Sequence, residues 1–454
     1  MKWEDLLLDE RFRLSTTKKE DGRSQFQKDI DRITFSSAFR RLGRKTQVHP
    51  LNDNDHIHTR LSHSLEVACV GRSLGTLIGN FLKKENELPS QFTPLNVGEI
   101  VQAACLAHDI GNPPFGHAGE EIIRKWFEEA FSSSGKLNAG SLSLTEDERK
   151  DFLNFDGNAM ALRTVTYREY FTSKGGMRLT YATLGTMLKY PWTVHYAGKK
   201  KKFSCFQSEF DILSDIGNKL KLAPSNIEKP KKAKYARHPL AFLVEAADDI
   251  CYKILDLEDA VELKILPTNF ITENFKELLR LEPDEKAFLS SEVSLRTKNA
   301  FIRGKTMEIL IADVVDVFKK NYSDIISGNL EKSLLDIASH KSITRLNNVY
   351  KTASESIYSS KRKTILEIGA FSTIGNLLYN LTEAAKDIAI KKPEERSYKT
   401  KKIEELIREN IHFDTTHPHP ESIYHYLMIV VDYIAGMTDQ YATLINRQIL
   451  GLGL

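Results

Sequence analysis

The chain has 454 residues, enough for a large buried core and one to three domains. Its 64 lysines and arginines stand against 61 aspartates and glutamates, a formal charge of +3 that excludes a globally basic nucleic-acid binder and a polyacidic protein. No uninterrupted apolar run approaches a membrane span and the acidic opening Met1–Asp5 does not read as a signal peptide, so a soluble cytoplasmic protein is expected.

Apolar residues recur at helical spacing almost throughout, so the fold is expected to be mainly α, with no repeat of fixed period. Cys69, Cys105, Cys205 and Cys251 are far apart, mostly in apolar surroundings, and read as buried structural thiols in a reducing compartment. Residues 1–22 are polar and read as a loose leading segment. Asp31–Leu42 reads as one amphipathic helix, with Ile33, Phe35, Ala38, Phe39 and Leu42 on its apolar side. Arg40, Arg41, Arg44 and Lys45 make its end basic, and a solvated face explains any one of them as well as phosphate contact does. Gln47 and Val48 follow in a short extended piece.

Thr59 is a candidate N-cap for the next helix, with Leu61, Leu65, Ala68 and Leu74 expected on its buried side. Arg60 and His63 lie three apart and share a face. A lone histidine there is usually a satisfied core residue; a second histidine further on, followed by an aspartate, favours a ligand. Residues 83–94 read as a loop.

The centre of the chain is His108–Glu120, which puts two histidines and two carboxylates into one short turn. The apolar run Val101–Ala107 reads as a buried helix that Gly111, Pro113 and Pro114 stop. His108 and Asp109 then sit at a helix end, where adjacent side chains can converge on one ion. A new helix is expected near His117, which shares a face with Glu120. The plain alternative is a solvated Pro-Gly loop.

A helix around Glu121–Phe131 and a Ser/Gly-rich loop at 132–143 come next. Phe155–Ala159 opens a helix carrying Arg163, and Asp156 or Asn158 can be explained as turn or capping residues. Leu179–Trp192 reads as an apolar helix ended by Pro191; Lys189 near its end can complement the macrodipole or neutralise a phosphate. Residues 199–235 carry two lysine runs, Lys199–Lys202 and Lys229–Lys234, and read as an exposed excursion, with nucleic-acid contact as the sharper alternative.

In Arg237–Asp256, Pro239 suits a first helical turn. Asp248, Tyr252 and Asp256 fall at i, i+4 and i+8 and form one polar stripe between apolar flanks. Acids on so apolar a helix are costly to bury unless paired or bound to metal. From 265 to 400 the chain reads as charged amphipathic helices without identifiable chemistry, with Lys391–Arg396 as a linker. A final helix is expected over Ile423–Leu450. His417 and His419 are held in a Pro-rich loop and read as surface.

His63, His108, Asp109 and Asp248 thus make a two-His, two-Asp set from three helices. Nitrogen and oxygen donors without thiolate suit manganese, iron(II), magnesium or zinc.

Taken together and in order, these pieces resemble the HD-domain phosphohydrolases, specifically the bacterial dGTP triphosphohydrolase group. The matching segments are Ser37–Leu42 with Lys45–Val48, Thr59–Val67, His108–Glu120, Phe155–Ala159, Thr180–Leu184 with Lys189–Pro191, Arg237–Leu240, Glu245–Tyr252 and Asp432–Asp439. The resemblance implies an HD-domain helical fold with additional C-terminal helices: a catalytic core over 1–265, and a region over 266–454 that completes the core and makes oligomer contacts. It implies metal-dependent hydrolysis of dGTP to deoxyguanosine and tripolyphosphate, with water attacking the α-phosphorus. The alternatives are a broad dNTP hydrolase activated by a second nucleotide, an HD phosphodiesterase or 5′-nucleotidase, and a non-catalytic HD scaffold that binds nucleotide or single-stranded DNA.

By the same resemblance His63, His108, Asp109 and Asp248 hold the metal, manganese or magnesium foremost, with iron(II), cobalt(II) or zinc as alternatives. His117 and Glu120 are the catalytic pair. Gln47, Tyr252 and Asp256 match sugar-reading positions; Arg60, Lys189 and Tyr190 match phosphate-facing ones; Asn158 lies in a matching motif. A homo-oligomer, often a hexamer, is implied, with single-stranded DNA as a further partner and no membrane. Asn112 departs from the histidine that members commonly carry there, and an amide supplies neither proton nor cation at neutral pH.

Overall fold

The structure, a computed structural model, describes all residues except 15–21, 48–53, 55, 138–143, 170–174, 229–230, 360, 410–422 and 454. His417 and His419, Val48 and Lys229 lie outside the described residues. The described chain is mainly α, as the spacing predicts, with one antiparallel hairpin of β1 (Pro224–Glu228) and β2 (Lys232–Tyr235). No helix among the described residues is long and apolar enough to cross a membrane.

Residues 1–14 of the leading segment are not loose. Trp3–Leu6 is a helical turn, Trp3, Leu6, Leu7 and Phe12 are buried, and Trp3 Nε1 donates to Tyr322 Oη at 2.7 Å. These four apolar residues each find a hole in the core. The helix expected over Asp31–Leu42 is two, α1 (Gln25–Thr34) and α2 (Ser37–Arg41). Ser36 interrupts them by capping α2, its hydroxyl accepting from Phe39 N. The break turns Phe35 outward, 75 % exposed, while Ile33, Ala38, Phe39 and Leu42 stay buried.

Helix α3 (Arg60–Lys84) starts where Thr59 predicts, in a reciprocal cap with Ser62. It packs along α4 (Pro94–Ala107), and both lie against α8 (Ala241–Glu262). Leu65 and Cys69 face outward on α3, against expectation, because Val67, Ala68, Val70 and Leu74 already fill its core side. The other three cysteines are buried. Between α4 and α8 come α5 (Gly116–Phe131), α6 (Gly157–Arg163) and α7 (Tyr181–Met187).

The stretch 199–235 is only partly an excursion. Lys199 and Lys200 are exposed, but Phe203, Phe206, Leu213 and Ile216 are buried and Lys202 turns inward. The lysine runs masked these apolar anchors. Helices α9 (Leu295–Lys320), α10 (Lys341–Tyr358) and α11 (Lys361–Ile390) follow. The expected terminal helix is two, α12 (Ile423–Ala435) and α13 (Asp439–Ile449), with Thr438 capping the second. In the segment read as a linker, Arg396 is buried and ion-paired with Glu404 at 3.0 Å.

Two apolar clusters result. One gathers the N-terminal segment with α3, α4, α8, α9 and α10; the other gathers α5, α11, α12 and α13. Residues from both sides of position 265 enter each cluster. The turn His108–Phe115 joins them, with Ile110 in the first and Phe115 in the second.

Candidate active site

The turn is clamped from three sides. Gly111 packs so closely on α6 that a Cβ there would sit 2.1 Å from Ala161 N. Phe115 takes a left-handed φ of 63° before α5, and its N–H donates to Asp439 Oδ1 at 2.8 Å. Lys45, buried, donates to the carbonyls of Asn112 and Ala435, both at 2.6 Å.

One side of the turn faces α3 and α8. His63 Nε2 lies 3.2 Å from Asp248 Oδ1, and His108 Nε2 lies 3.6 Å from the same oxygen and from Asp109 Oδ1. His63, His108 and Asp248 alone form a three-donor group close enough for one ion among the described residues. The donors suit a divalent cation. His108 Nδ1–H donates to the Cys105 carbonyl at 2.6 Å, which orients the ring so that Nε2, buried and without a hydrogen-bond partner, faces the carboxylates. Burial alone would lower the His108 pKa, but Asp109 and Asp248 outweigh it and push it up to about 9. The same negative field would favour a metal ion. Asp109, the fourth expected ligand, stands beside this group with both oxygens engaged. Asn112 Nδ2 donates to Oδ1 at 2.5 Å and Arg60 pairs with Oδ2. Asn112 therefore orients a carboxylate.

The other side opens into a cavity of about 550 Å³, within the usual range for small-molecule sites. Every expected site residue lines it except His63, the fully buried member of the cluster. His117 is exposed within the cavity, Glu120 buried in its wall. Glu120 Oε1 accepts from Gly157 N–H at 2.8 Å, and its Oε2 lies 3.5 Å from Lys202 Nζ and 3.4 Å from Arg124. Burial would raise the Glu120 pKa; Lys202, His117 and the Gly157 N–H more than reverse that and keep it ionised. His117 is lowered, by desolvation first and by the Arg60 and Lys202 charges against the pull of Glu120. Asp156 caps α6 as predicted, accepting from Asn158 N at 2.9 Å and Asn158 Nδ2 at 2.8 Å. Burial and nearby Glu120 push its pKa up to about 6.

At the far end, the Asp248–Tyr252–Asp256 stripe points into the cavity as the spacing predicts. Tyr350 and Tyr358 donate to Asp256 Oδ2 at 2.8 and 3.1 Å, and the Tyr252 ring meets the Tyr350 ring edge-on at 5.4 Å. Burial raises the Asp256 pKa to about 6. Gln47 and Tyr190 also line the cavity. Lys189 Nζ lies 3.6 Å from Asp248 Oδ2 and 3.7 Å from Glu245.

Lys202, Tyr350, Tyr358 and Lys363 line the cavity although the sequence did not single them out for it. Lys202 was hidden inside a basic run. Tyr350 and Tyr358 repeat the i, i+8 spacing of Asp248 and Asp256, a signal available in the sequence.

The HD domain family matches residues 60–147, which include α3, α4 and the turn. A deoxyguanosinetriphosphate triphosphohydrolase-like protein of Pseudomonas aeruginosa is 44 % identical over 99 % of both chains. One of Synechocystis is 34 % identical over the full length of both, and a deoxyguanosinetriphosphate triphosphohydrolase of Salmonella paratyphi A is 32 % identical over 92 % of each. With such identity sustained end to end, the chain belongs to the deoxyguanosinetriphosphate triphosphohydrolase family of HD-domain proteins.

Proposed function

We propose that this chain hydrolyses deoxynucleoside triphosphates, dGTP foremost, to the deoxynucleoside and tripolyphosphate. One observation carries the reading: a single cavity of small-molecule size is lined by His108 and Asp248 of the two-His, one-Asp cluster, by the His117–Glu120 pair and by a Tyr252–Asp256 wall. His63, His108, Asp109 and Asp248 would hold a divalent metal, manganese or magnesium foremost. Such an ion, when bound, polarises phosphorus and lowers the pKa of bound water.

The protein's own residues supply the rest. Lys189, Lys202, Tyr190, Asn158 and Arg60 surround the negative phosphate chain, Arg60 while also orienting Asp109. His117, accessible and with a lowered pKa, takes the proton of the attacking water on an unprotonated ring nitrogen. The water oxygen bonds to the α-phosphorus, the α-phosphorus–O5′ bond breaks, O5′ takes a proton from solvent water and leaves as the nucleoside hydroxyl, and His117 returns its proton to solvent. Glu120, buried and ionised, stabilises the protonated imidazole through space. Tyr252, backed by Tyr350, closes the sugar site against a 2′-hydroxyl, while Gln47 and Asp256 bind the deoxyribose.

In this reading 1–265 carries the chemistry and 266–454 completes the sugar wall through Tyr350 and Tyr358 and makes subunit contacts. Exposed Ile365, Ile368 and Phe371 on α11 favour a homo-oligomer, a hexamer by the family resemblance. Exposed Lys199 and Lys200 favour contact with single-stranded DNA. A cytoplasmic location, alongside free deoxynucleotides, belongs to the same reading.

The test is product analysis with manganese or magnesium and each of the four dNTPs and GTP, singly and in pairs. Deoxyguanosine plus tripolyphosphate from dGTP alone is the expected result. Turnover only in mixtures would favour the nucleotide-activated enzyme, monophosphate plus pyrophosphate would overturn tripolyphosphate release, and no turnover would favour a binding scaffold.

A further inference from the structure

Asp156 is a buried acid that the proposed chemistry leaves unused. It sits behind the cavity wall, fully buried, and contacts two of the groups that line the cavity. Its Oδ1 accepts from Asn158 N and lies 3.6 Å from Lys202 Nζ, and its Oδ2 accepts from Phe203 N at 3.3 Å. The same Lys202 Nζ lies 3.5 Å from Glu120 Oε2. One lysine thus serves two buried carboxylates.

The two acids are not equally provided for. Glu120 also has Arg124 at 3.4 Å and the Gly157 N–H at 2.8 Å. Asp156 has no other cation close enough to pair with it among the described residues. The charged and titratable groups around the pair are His117 and Arg124 on α5, Lys202, and Tyr190. Lys202 stays charged, because burial would lower its pKa and the two carboxylates more than offset that. Its backbone is fixed: its N–H donates to the Ala197 carbonyl at 3.2 Å, and its own carbonyl accepts from Trp192 Nε1 at 2.9 Å. Only the flexible stem is left to choose between partners. A phosphate chain in the cavity carries more charge than either carboxylate and offers several oxygens at once.

We propose that a bound triphosphate chain draws Lys202 away from the two carboxylates, and that the pair takes up one proton from solvent in exchange, held on Asp156 and returned when the chain leaves. Two like charges that share one cation in so buried a place do not both stay ionised once it is gone. The proton goes to Asp156, because Glu120 keeps Arg124 and the Gly157 N–H. Glu120 therefore remains an anion beside His117 while Lys202 serves the phosphates. Asp156 touches no reacting atom and acts through these two residues, as a positioning residue. The complex holds more protons than the free protein, so affinity falls as pH rises above the Asp156 pKa of about 6, by up to about tenfold per pH unit. The inference rests on the reading of the cavity as a triphosphate site.

The experiment is calorimetry at neutral pH on the manganese-loaded, full-length chain, in buffers of different ionisation enthalpy. The probes are the α,β-imido analogue of dGTP and inorganic tripolyphosphate. Loading the metal first keeps its ligands from exchanging protons during the titration. Wild type is expected to take up about one proton more per bound probe than Asp156→Asn, and its Kd to rise more steeply with pH. The subtraction removes proton exchange by the probe itself. Should Asp156→Asn not fold, Lys202→Met serves instead: without the lysine the pair already holds its proton, so the extra uptake should vanish. Equal uptake in wild type and either folded variant would overturn the proposal. So would uptake on binding deoxyguanosine, which carries no phosphate, as large as that with tripolyphosphate. Neither probe needs turnover. Binding without extra uptake would sink this inference alone, and failure of both probes to bind would sink the triphosphate reading with it.

Discussion

Gly157→Ala is the sharpest probe of the catalytic turn, because it adds one methyl group where three functions meet. A Cβ at 157 would stand 2.0 Å from Asn112 Oδ1, 3.1 Å from Asn112 Cγ and 3.0 Å from Glu120 Oε1. Ordinary carbon–oxygen contact needs Asn112 Oδ1 to retreat by about 1.2 Å or more. Asn112 Nδ2 then leaves Asp109 Oδ1, now 2.5 Å away, because a hydrogen bond stretched by that distance is lost. Helix α6 cannot back away instead without opening its contact with Gly111. Overpacking of this size costs about 1–3 kcal/mol in stability. Displacing a positioning group by about 1 Å costs about 100-fold in rate. The expected result is therefore a drop of a few degrees in melting temperature beside a roughly 100-fold fall in kcat/KM for dGTP. Asn112→Ala/Gly157→Ala removes the clash and should regain the stability but not the activity. Wild-type turnover in Gly157→Ala, or a double variant no more stable than the single one, would refute the reasoning.

Three further outcomes follow from the geometry. Asp248→Ala should abolish divalent-metal binding and turnover with the fold intact by circular dichroism; a metal stoichiometry equal to wild type would remove Asp248 from the ligand set. Tyr252→Ala should raise turnover of GTP relative to dGTP, and an unchanged ratio would refute the sugar gate. Lys202→Met removes a cation that lowers the Glu120 pKa, so that pKa rises and the ionised form is lost at higher pH. The acid limb of the kcat/KM–pH profile should move up, Lys202→Arg should restore it, and an unmoved limb would show that Lys202 does not set the charge of Glu120.

What could be read from the sequence follows a physical division. Residues on one regular helix were legible, because 3.6-residue periodicity states which side chains share a face. Asp248, Tyr252 and Asp256 enter the same cavity for that reason, and Thr59 and Asp156 cap where short polar side chains precede apolar runs. Breaks inside periodic stretches were not legible. Ser36 and Thr438 are also tolerable within a helix, and tertiary packing makes them caps. Lys202 was illegible for a related reason. Four consecutive lysines carry no mark of the one that turns inward, and that choice belongs to Phe203 and Phe206, which anchor the chain beside it.

The basic run at the end of α2 unites these lessons. Leu42–Arg44 is a 3-10 turn, so successive side chains advance by about 120° rather than the 100° of an α-helix. That change sends Leu42 into the core, exposes Arg44, and leaves Lys45 to turn back into the protein. Lys45 then does what no surface lysine does: buried, its pKa lowered by desolvation and by Arg41 and Arg168, it ties the Asn112 carbonyl of the turn to the Ala435 carbonyl at the end of α12. The first of those carbonyls belongs to the residue that orients Asp109, and the second lies next to the glycine on which Arg168 rests. Arg41 and Arg168 therefore act on the charge of the same lysine that holds the catalytic turn in place. A run of basic residues that periodicity would treat as one solvated patch is, in the folded chain, what ties the catalytic turn to the end of α12.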